Sequence, residues 1–201
     1  MCGDAAEGLE LAIGTPQPEA GEKPEPPAFG WLADFENAAP TAEEQAAFVA
    51  AEGERDERIA ALPLTTLTRV YSSSSFEWLQ DREEALRTTA DAILVEALDI
   101  VAHDSVFIGA KVHRALDGRD RAEHDEAFEE DPVQNDWNGS AKVALISVER
   151  CAIAWQTIAD AVSDPVAKML AEQLVYLGRL LLDAFPLAMA FVRPGFDEPW
   201  R

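Results

Sequence analysis

An apolar helical hairpin decides the fold, and it occupies residues 141–185, AKVALISVERCAIAWQTIADAVSDPVAKMLAEQLVYLGRLLLDAF. Apolar side chains recur every three or four residues on both sides of a Ser-Asp-Pro sequence, and charge is confined to narrow strips. This is the periodicity of two amphipathic helices. Asp164 is placed to cap the second helix, with Pro165 in its first turn. The stretch therefore predicts helices at 141–162 and 165–185 joined by a tight turn.

A further amphipathic helix precedes the hairpin. Ser74 and Glu77 form a capping box, and an apolar stripe with a 3.6-residue period runs from Ser75 to about Ala102. The same stripe continues to Leu116. The polar residues 103–105 are therefore either a break between two helices or a polar point within one long helix. Packing of this stripe against the hairpin predicts a helical bundle.

Residues 117–139 are acidic and polar, and we expect a long loop there. Gly118 is predicted to end the preceding helix, and Asn138 or Ser140 is predicted to cap the next one. Loops of this length are uncommon inside compact domains and are usually functional or disordered. We hypothesise that Trp137 anchors this loop on the bundle.

The sequence before the bundle divides into two parts. Residues 1–40 hold six of the twelve prolines, which predicts a disordered acidic arm because such a segment buries too little apolar surface to fold. Residues 41–63 are predicted to form an N-terminal helix and a linker, beginning at a capping box of Thr41 and Glu44. The predicted fold class is all-α: an antiparallel bundle of about four core helices over residues 64–201, preceded by the proline-rich arm.

Acidic side chains dominate the composition and are unevenly distributed. The 201 residues include 38 Asp and Glu against 16 Lys and Arg, a net charge of -22. Residues 1–60 hold 14 acids and 3 bases and residues 117–136 hold 9 and 2, whereas residues 137–201 hold 7 and 6. A surface of this charge repels nucleic acid and anionic membranes, so neither is expected as a partner. The acidic segments favour a basic protein instead.

The expected location of the protein in the cell follows from the signals that its sequence lacks. It has no apolar stretch long enough to span a membrane, and no basic region followed by an apolar run marks a signal peptide. We therefore expect a cytoplasmic protein. The alternative is a lipoprotein tethered through a lipidated Cys2, with the proline-rich arm as the tether. The other cysteine, Cys151, lies in an apolar helix and is expected to be a small core residue.

One group of polar residues has the side chains of a metal site. Glu96, Asp99 and His103 lie at i, i+3 and i+7 and project from one face of a helix. Completed by Glu149 and His113, they would offer carboxylate and imidazole ligands to iron, manganese or zinc. The sequence lacks the ferritin-like pattern in which a Glu precedes a His by three residues. The alternative is that these side chains form a solvated helix face.

Two short patterns match catalytic motifs in their letters only. The dipeptides His103-Asp104 and His124-Asp125 resemble those of metal-dependent phosphohydrolases of the HD type, but no His precedes His103 to act as the first ligand. Arg119 and His124 have the spacing of the RNA-cutting HEPN motif, but they lie in an acidic block that repels RNA. We expect neither activity.

The apolar hairpin has more apolar surface than a single bundle covers, which favours self-association. We expect a non-enzymatic interaction or assembly protein that forms a homodimer through the C-terminal hairpin and needs no cofactor. The predicted interface consists of Trp155, Leu174, Leu177 and Leu181. The alternative function is a metal-binding helical bundle with oxidase or hydrolase activity at the carboxylate and histidine group described above.

Overall fold

A computed structural model of the protein describes residues 40–88, 91–124 and 131–193. Within these ranges the chain forms five α-helices and one short 3-10 helix and contains no strand. The helices are α1 (Ala42–Ala60), α2 (Pro63–Arg87), α3 (Ala92–His124), α4 (Asp136–Val162), α5 (Pro165–Ala184) and the 3-10 helix (Ala188–Ala190). The predicted all-α class is confirmed. The predicted disordered arm at 1–40 lies outside the described residues except for Pro40.

The chain divides after Gln45 into two units, and of the first unit only residues 40–45 are described. They contain the predicted capping box. The Glu44 carboxylate accepts a hydrogen bond from the Thr41 backbone N–H at 2.7 Å, and Thr41 Oγ1 accepts one from the Glu44 N–H at 3.2 Å. These bonds stabilise the ionised carboxylate and lower the pKa of Glu44. The start of α1 is therefore explained by local sequence alone.

Helices α2, α3, α4 and α5 form an antiparallel four-helix bundle in which each helix packs on two others. Helix α2 contacts α3 and α5, and α4 contacts the same two helices from the other side. The 3-10 helix packs on α4. Apolar side chains from all four helices meet in the middle; the largest fully buried ones are Trp155, Tyr71, Phe185, Leu98, Ile108, Leu116, Ile158, Leu170, Leu174, Leu177 and Leu181.

Helix α2 begins twelve residues before the predicted start at Ser75. Pro63 occupies its first turn, where the missing N–H removes no hydrogen bond, and Leu62 precedes it in an extended conformation. Ser74 is therefore not a cap but a position inside the helix. Ser75 is buried and donates a hydrogen bond to Ser105 Oγ on α3 at 2.8 Å. The prediction was wrong because Pro63 opens the helix upstream, and Ser75, the predicted first helical residue, instead bonds to another helix inside the core.

Helix α2 ends at Arg87 and α3 begins at Ala92, so residues 103–105 are not a break between helices. The Asp91 carboxylate accepts hydrogen bonds from the backbone N–H groups of Ile93 and Leu94, at 2.9 and 3.3 Å, so Asp91 caps α3. The predicted helix from Ser75 to Ala102 is therefore parts of two helices. Residues 103–105 lie inside α3.

Helix α3 continues past Gly118, where it was predicted to end, to His124. A Cβ added at residue 118 would lie 3.1 Å from the Cβ of Trp137, so the glycine allows the start of α4 to approach α3 closely. Trp137 is half-buried against the core, as the anchoring hypothesis requires. The final turns of α3 also carry ion pairs to α1, with Arg55 2.8 Å from Asp117 and Arg58 2.6 Å from Asp120.

The predicted acidic loop at 117–139 is therefore much shorter than expected. Residues 117–124 and 136–139 are helical, residues 125–130 lie outside the described ranges, and residues 131–135 form turns. Asn135, not Asn138 or Ser140, caps α4, accepting a hydrogen bond from the Asn138 N–H at 2.8 Å. Asn138 is buried, and its side-chain amide donates to the carbonyl of Pro132 at 2.9 Å. Local side-chain hydrogen bonds thus order residues whose composition is typical of a loop.

The hairpin turn between α4 and α5 agrees with its prediction. Asp164 accepts hydrogen bonds from the N–H groups of Val166 and Ala167, at 2.7 and 3.1 Å, and Pro165 opens α5. Ser163 closes α4 in the left-handed conformation, with φ of 53°. Arg82 on α2 forms an ion pair with the same Asp164. The turn is consequently attached to the neighbouring helix of the bundle.

Candidate functional site

The four residues suggested as metal ligands lie apart on the surface. Glu96 and Glu149 are exposed, and so are Asp99 and His103, whose side chains are 63% and 75% accessible. Asp99 forms an ion pair with Arg87 at 2.7 Å. In the part of the chain that the structure describes, no three His, Cys, Asp or Glu side chains are grouped so that they could hold a metal ion. The structure therefore does not assemble the suggested ligand set.

The buried acid of this part of α3 is Asp104, one of the polar residues at 103–105. It is 2% exposed, and its Oδ1 lies 2.8 Å from Nδ1 of the exposed His103. Its Oδ2 lies 3.6 Å from Arg150 Nη1 on α4. The ring of His103 stacks on Phe107, with ring centroids 5.8 Å apart. Asp104 thus orients the His103 imidazole on α3 and connects α3 to Arg150 on α4.

Arg119 and His124, the two residues with the spacing of the HEPN motif, make contacts near the end of α3. Arg119 donates a hydrogen bond to the Ala184 carbonyl at 3.0 Å and lies over the Phe185 ring. His124 Nδ1 lies 2.8 Å from the carbonyl oxygen of Asp120, at the end of α3. His113 is exposed. The Arg119 contacts attach the end of α3 to the end of α5, whereas the His124 contact lies within α3.

The residues predicted for a dimer interface are instead in the interior of the chain. Trp155, Leu174, Leu177 and Leu181 are all 0% exposed. Trp155 packs against Tyr71 and Trp78 of α2, and Leu174, although buried, also lines the groove described below. The predicted interface residues were taken from the most apolar face of the hairpin. In a helical bundle this face packs against the other helices and is buried in the core. An interface on the hairpin has to use its outer side.

The outer side of the hairpin carries an apolar depression of about 500 Å³, which we call the hairpin groove. Helix α4 contributes Ile146 and Ile153, and α5 contributes Val175 and Leu182, with Met189 of the 3-10 helix at one end. Each of these five side chains is between 43% and 63% exposed. Contiguous exposed apolar side chains of this kind mark interaction surfaces. The groove is therefore the candidate functional site.

Two features shape the groove. Gly178 on α5 faces Val148 on α4, and a Cβ at residue 178 would lie 3.3 Å from Val148 Cγ1. The missing side chain allows the two helices to approach and leaves a depression over their contact. Glu149 and Arg179, one from each helix, are the charged residues that line the groove. The described residues that line it therefore carry no net charge, in contrast to the whole chain.

A small set of polar side chains lies in the middle of the bundle, and we call it the central cluster. Tyr71 Oη is 2.8 Å from Ser105 Oγ and 3.3 Å from Cys151 Sγ. Trp155 Nε1 donates a hydrogen bond to the same Tyr71 oxygen at 3.0 Å, and Ser75 donates to Ser105. The cluster joins α2, α3 and α4. Its polar atoms bond to one another, which indicates a role in specifying the packing of these helices.

Ionisation of the central cluster is disfavoured. Burial raises the pKa of the Cys151 thiol from 9.0 to about 11 and also raises the pKa of Tyr71. A thiolate is the nucleophilic form of cysteine, so Cys151 is inert at neutral pH. This agrees with its prediction as a core residue.

Stability is expected to decrease at alkaline pH because of Cys151. The thiol ionises near pH 9 in the unfolded chain but only near pH 11 in the folded one, so its contribution is complete below pH 9 and is lost as the pH rises to 11. Urea unfolding at pH 8 and pH 11 should show that the parent loses about 2 kcal/mol more than Cys151→Ala does. Tyr71 is present in both proteins, so the difference reports Cys151. Equal losses would contradict the raised pKa.

Comparison of the chain with protein-family models, with curated proteins and with solved structures finds no match in any of the three. None of the helices in the described ranges is long and apolar enough to cross a membrane. The fold and the groove together define the class of the protein as an acidic four-helix bundle with an apolar groove on the outside of its C-terminal hairpin.

Proposed function

We propose that the protein is a non-enzymatic interaction protein that self-associates as a homodimer through the hairpin groove. The observation that carries this proposal is the row of half-exposed apolar side chains on the outer side of α4 and α5. Burial of such side chains between two copies removes apolar surface from water, which is the main favourable term in association. No step of chemistry is needed for this function.

The distribution of charge supports a second copy as the occupant. The chain carries a net charge of -22, so two copies repel each other over most of their surfaces. Residues 136–201, which contain both helices of the groove, hold 8 acids and 6 bases. This region is therefore where a second acidic chain can approach with the least repulsion. A basic partner would gain nothing from binding at this neutral surface and is better suited to the acidic segments elsewhere.

The charged residues lining the groove fit a two-fold interface. In such an interface the same patch is used by both copies, so each residue of one copy faces its complement on the other. Glu149 on α4 and Arg179 on α5 have opposite charges and lie on opposite helices of the groove. A two-fold axis along the groove brings Glu149 of one copy toward Arg179 of the partner copy. The groove is thus complementary to itself in charge as well as in polarity.

Substitution of Val175 by aspartate should disperse the dimer without unfolding the chain. Val175 lines the groove and is 51% exposed, so an aspartate there is solvated in the monomer. In a two-fold dimer one such carboxylate from each copy would be buried in the interface. The dimer dissociation constant should rise at least about tenfold. The measurement is the molar mass across a concentration series by analytical ultracentrifugation. The matched control is Val106→Asp, a valine on α3 that is 74% exposed and does not line the groove.

A charge exchange tests the geometry of the interface. Glu149→Arg alone and Arg179→Glu alone should each weaken the dimer, and the double variant should restore it, because the opposite pairing is then re-formed between the copies. A parent protein that is monomeric at high concentration would overturn the proposal. A Val175→Asp variant as dimeric as the Val106→Asp control would exclude the groove as the interface.

A further inference from the structure

Asp104 on α3 is a buried acid with few partners. It is 2% exposed, and among the described residues its side chain makes one hydrogen bond, between Oδ1 and Nδ1 of His103 at 2.8 Å. Its second oxygen, Oδ2, has no hydrogen-bond partner in the same residues, and Arg150 Nη1 lies 3.6 Å from it. A buried polar atom without a hydrogen bond lowers the stability of a fold. The presence of Asp104 is therefore explained better by its effect on His103 than by stability.

The buried carboxylate holds one edge of the His103 imidazole. A carboxylate can only accept hydrogen bonds, so the bond to Asp104 places the ring proton on Nδ1. The lone pair is then on Nε2, the other nitrogen of the ring. Because the side chain is 75% exposed and Nδ1 is turned toward a buried group, Nε2 faces solvent. The Phe107 ring stacks on the imidazole and limits its rotation. His103 thus presents a nucleophilic nitrogen in a fixed orientation.

The acids next to this imidazole each have a cation beside them. Arg150, which is 58% exposed, lies on the far side of the Asp104 carboxylate. Asp99, one turn before His103 on α3, forms an ion pair with Arg87 at 2.7 Å. An anionic group that approaches His103 therefore meets less repulsion than the net charge of -22 predicts for the chain as a whole.

We propose that His103 is a phosphoryl acceptor, and that its Nε2 takes the phosphoryl group from a reactive donor of the acyl phosphate or phosphoramidate class. The Nε2 lone pair forms the bond to phosphorus while the bond from phosphorus to the leaving group breaks. The leaving group keeps the electron pair of that bond. It departs as a carboxylate from an acyl phosphate, or as ammonia from phosphoramidate, whose nitrogen already carries the needed proton at neutral pH.

Asp104 is a positioning residue in this step. Once phosphorus is bound to Nε2, the ring carries a positive charge, and its Nδ1 proton stays in the hydrogen bond to the carboxylate. The negative charge of Asp104 offsets that positive charge. Phosphoryl transfer depends mainly on the position of the nucleophile and on in-line approach of the donor. The exposed side of the His103 ring leaves this approach open.

The other two histidines of the chain also lie on α3 and lack this arrangement. His113 is exposed, and its imidazole makes no hydrogen bond or ion pair with the described residues. His124 Nδ1 lies 2.8 Å from the carbonyl oxygen of Asp120, and the Asp120 carboxylate is further away, at 3.6 Å. The three rings are thus held by a buried carboxylate, by a carbonyl group and by no partner. They form a series of controls within one protein.

The probe is phosphoramidate, incubated with the full chain near neutral pH. The phosphoryl group on each histidine is followed by mass spectrometry of peptides kept at alkaline pH, because phosphohistidine hydrolyses in acid. His103 should be labelled at least about tenfold faster than His113, since a hydrogen bond to a charged group contributes about a factor of ten or more. His124 should also be slower than His103. Phosphorus NMR of the folded protein should place the group on Nε2, because Nδ1 is held by Asp104.

A pair of variants tests the carboxylate. Asp104→Asn keeps the shape of the side chain but removes its charge, so labelling of His103 should fall about tenfold, while His113 in the same variant keeps its rate. The matched control is Asp120→Asn, the same change beside another histidine of α3, and it should label His103 as the parent does. Circular dichroism checks that both variants are folded. If Asp104→Asn does not fold, the rates of the three histidines in the parent decide the question.

Three outcomes would overturn the proposal. The first is labelling of His113 or His124 as fast as that of His103, which would show that the buried carboxylate has no effect. The second is a phosphoryl group on Nδ1 of His103 in the folded parent. The third is a folded Asp104→Asn variant that is labelled as the parent is. His103 and Asp104 do not line the hairpin groove, so the dimer mass of the parent separates a failure here from a failure of the proposed function.

Discussion

Replacement of Leu174 by aspartate is expected to abolish cooperative folding of the bundle. Leu174 lies in the middle of α5 and is 0% exposed. A carboxylate there has to be buried without a partner or be protonated, and either costs several kcal/mol. Since domains of this kind are stable by about 5–15 kcal/mol, one such change removes most or all of the margin. Urea unfolding followed by circular dichroism should show a lost or strongly shifted transition.

The neighbouring residue provides the matched control for this prediction. Val175→Asp introduces the same charge one position further along α5, on the exposed side of the helix. It should keep the helical spectrum and nearly the parent's free energy of unfolding, while affecting self-association as described above. If Leu174→Asp folds as stably as Val175→Asp, then the assignment of inner and outer sides of the hairpin is wrong.

Truncation of Trp155 to alanine should produce the second largest loss of stability. Trp155 is 0% exposed, packs edge to face on Trp78 with ring centroids 5.0 Å apart, and donates a hydrogen bond to Tyr71. Removal of a buried aromatic side chain and creation of a cavity costs about 3–5 kcal/mol. For a chain of this size the melting temperature should fall by roughly 10 °C. Differential scanning calorimetry measures both quantities.

Two further variants separate packing from hydrogen bonding. Trp155→Phe keeps most of the ring but removes the donor to Tyr71, so its loss should be smaller, on the order of 1 kcal/mol plus a packing term. Phe76→Ala is the surface control, because Phe76 lies on α2 and is 59% exposed. Its effect should remain within about 0.5 kcal/mol. A Trp155→Ala variant no less stable than Phe76→Ala would contradict the description of the core.

The sites of interest were only partly predictable from the sequence. The hairpin was predicted to carry a self-association surface, but the residues chosen for that interface, Trp155, Leu174, Leu177 and Leu181, are all buried. A helix that is apolar on most sides has no unique inner face, so periodicity alone does not separate Leu174 from Val175. The exposed residues of the hairpin groove can be recognised in the sequence only as apolar residues that lie outside the main apolar stripe of each helix.

The cavity of about 370 Å³ that is lined by Lys111, Arg114, Lys142 and Arg193 was not predicted at all. Lys111 and Arg114 are three residues apart, which indicates a shared helix face, but nothing in the sequence indicates that Lys142 and Arg193 join them. Their convergence depends on how α3, α4 and the segment after the 3-10 helix are arranged. The suggested metal ligands Glu96, Asp99 and His103 have a suitable spacing, but their helix face is exposed to solvent. Spacing along a helix does not show whether the face that carries the residues is buried or exposed.

The sequence by itself determined the local structure of this protein. The all-α class, the caps at Thr41 and Asp164 and the hairpin turn follow from interactions within a few residues. The tertiary structure decided where helices end and what their side chains face. The helix continues through Gly118, whose missing side chain lets Trp137 pack beside it. Ser75 and Ser105 lie in the core, where Ser75 bonds to Ser105 and Ser105 bonds to Tyr71. Such contacts join residues far apart in the chain, so their effect on local structure appears only when the helices are packed together.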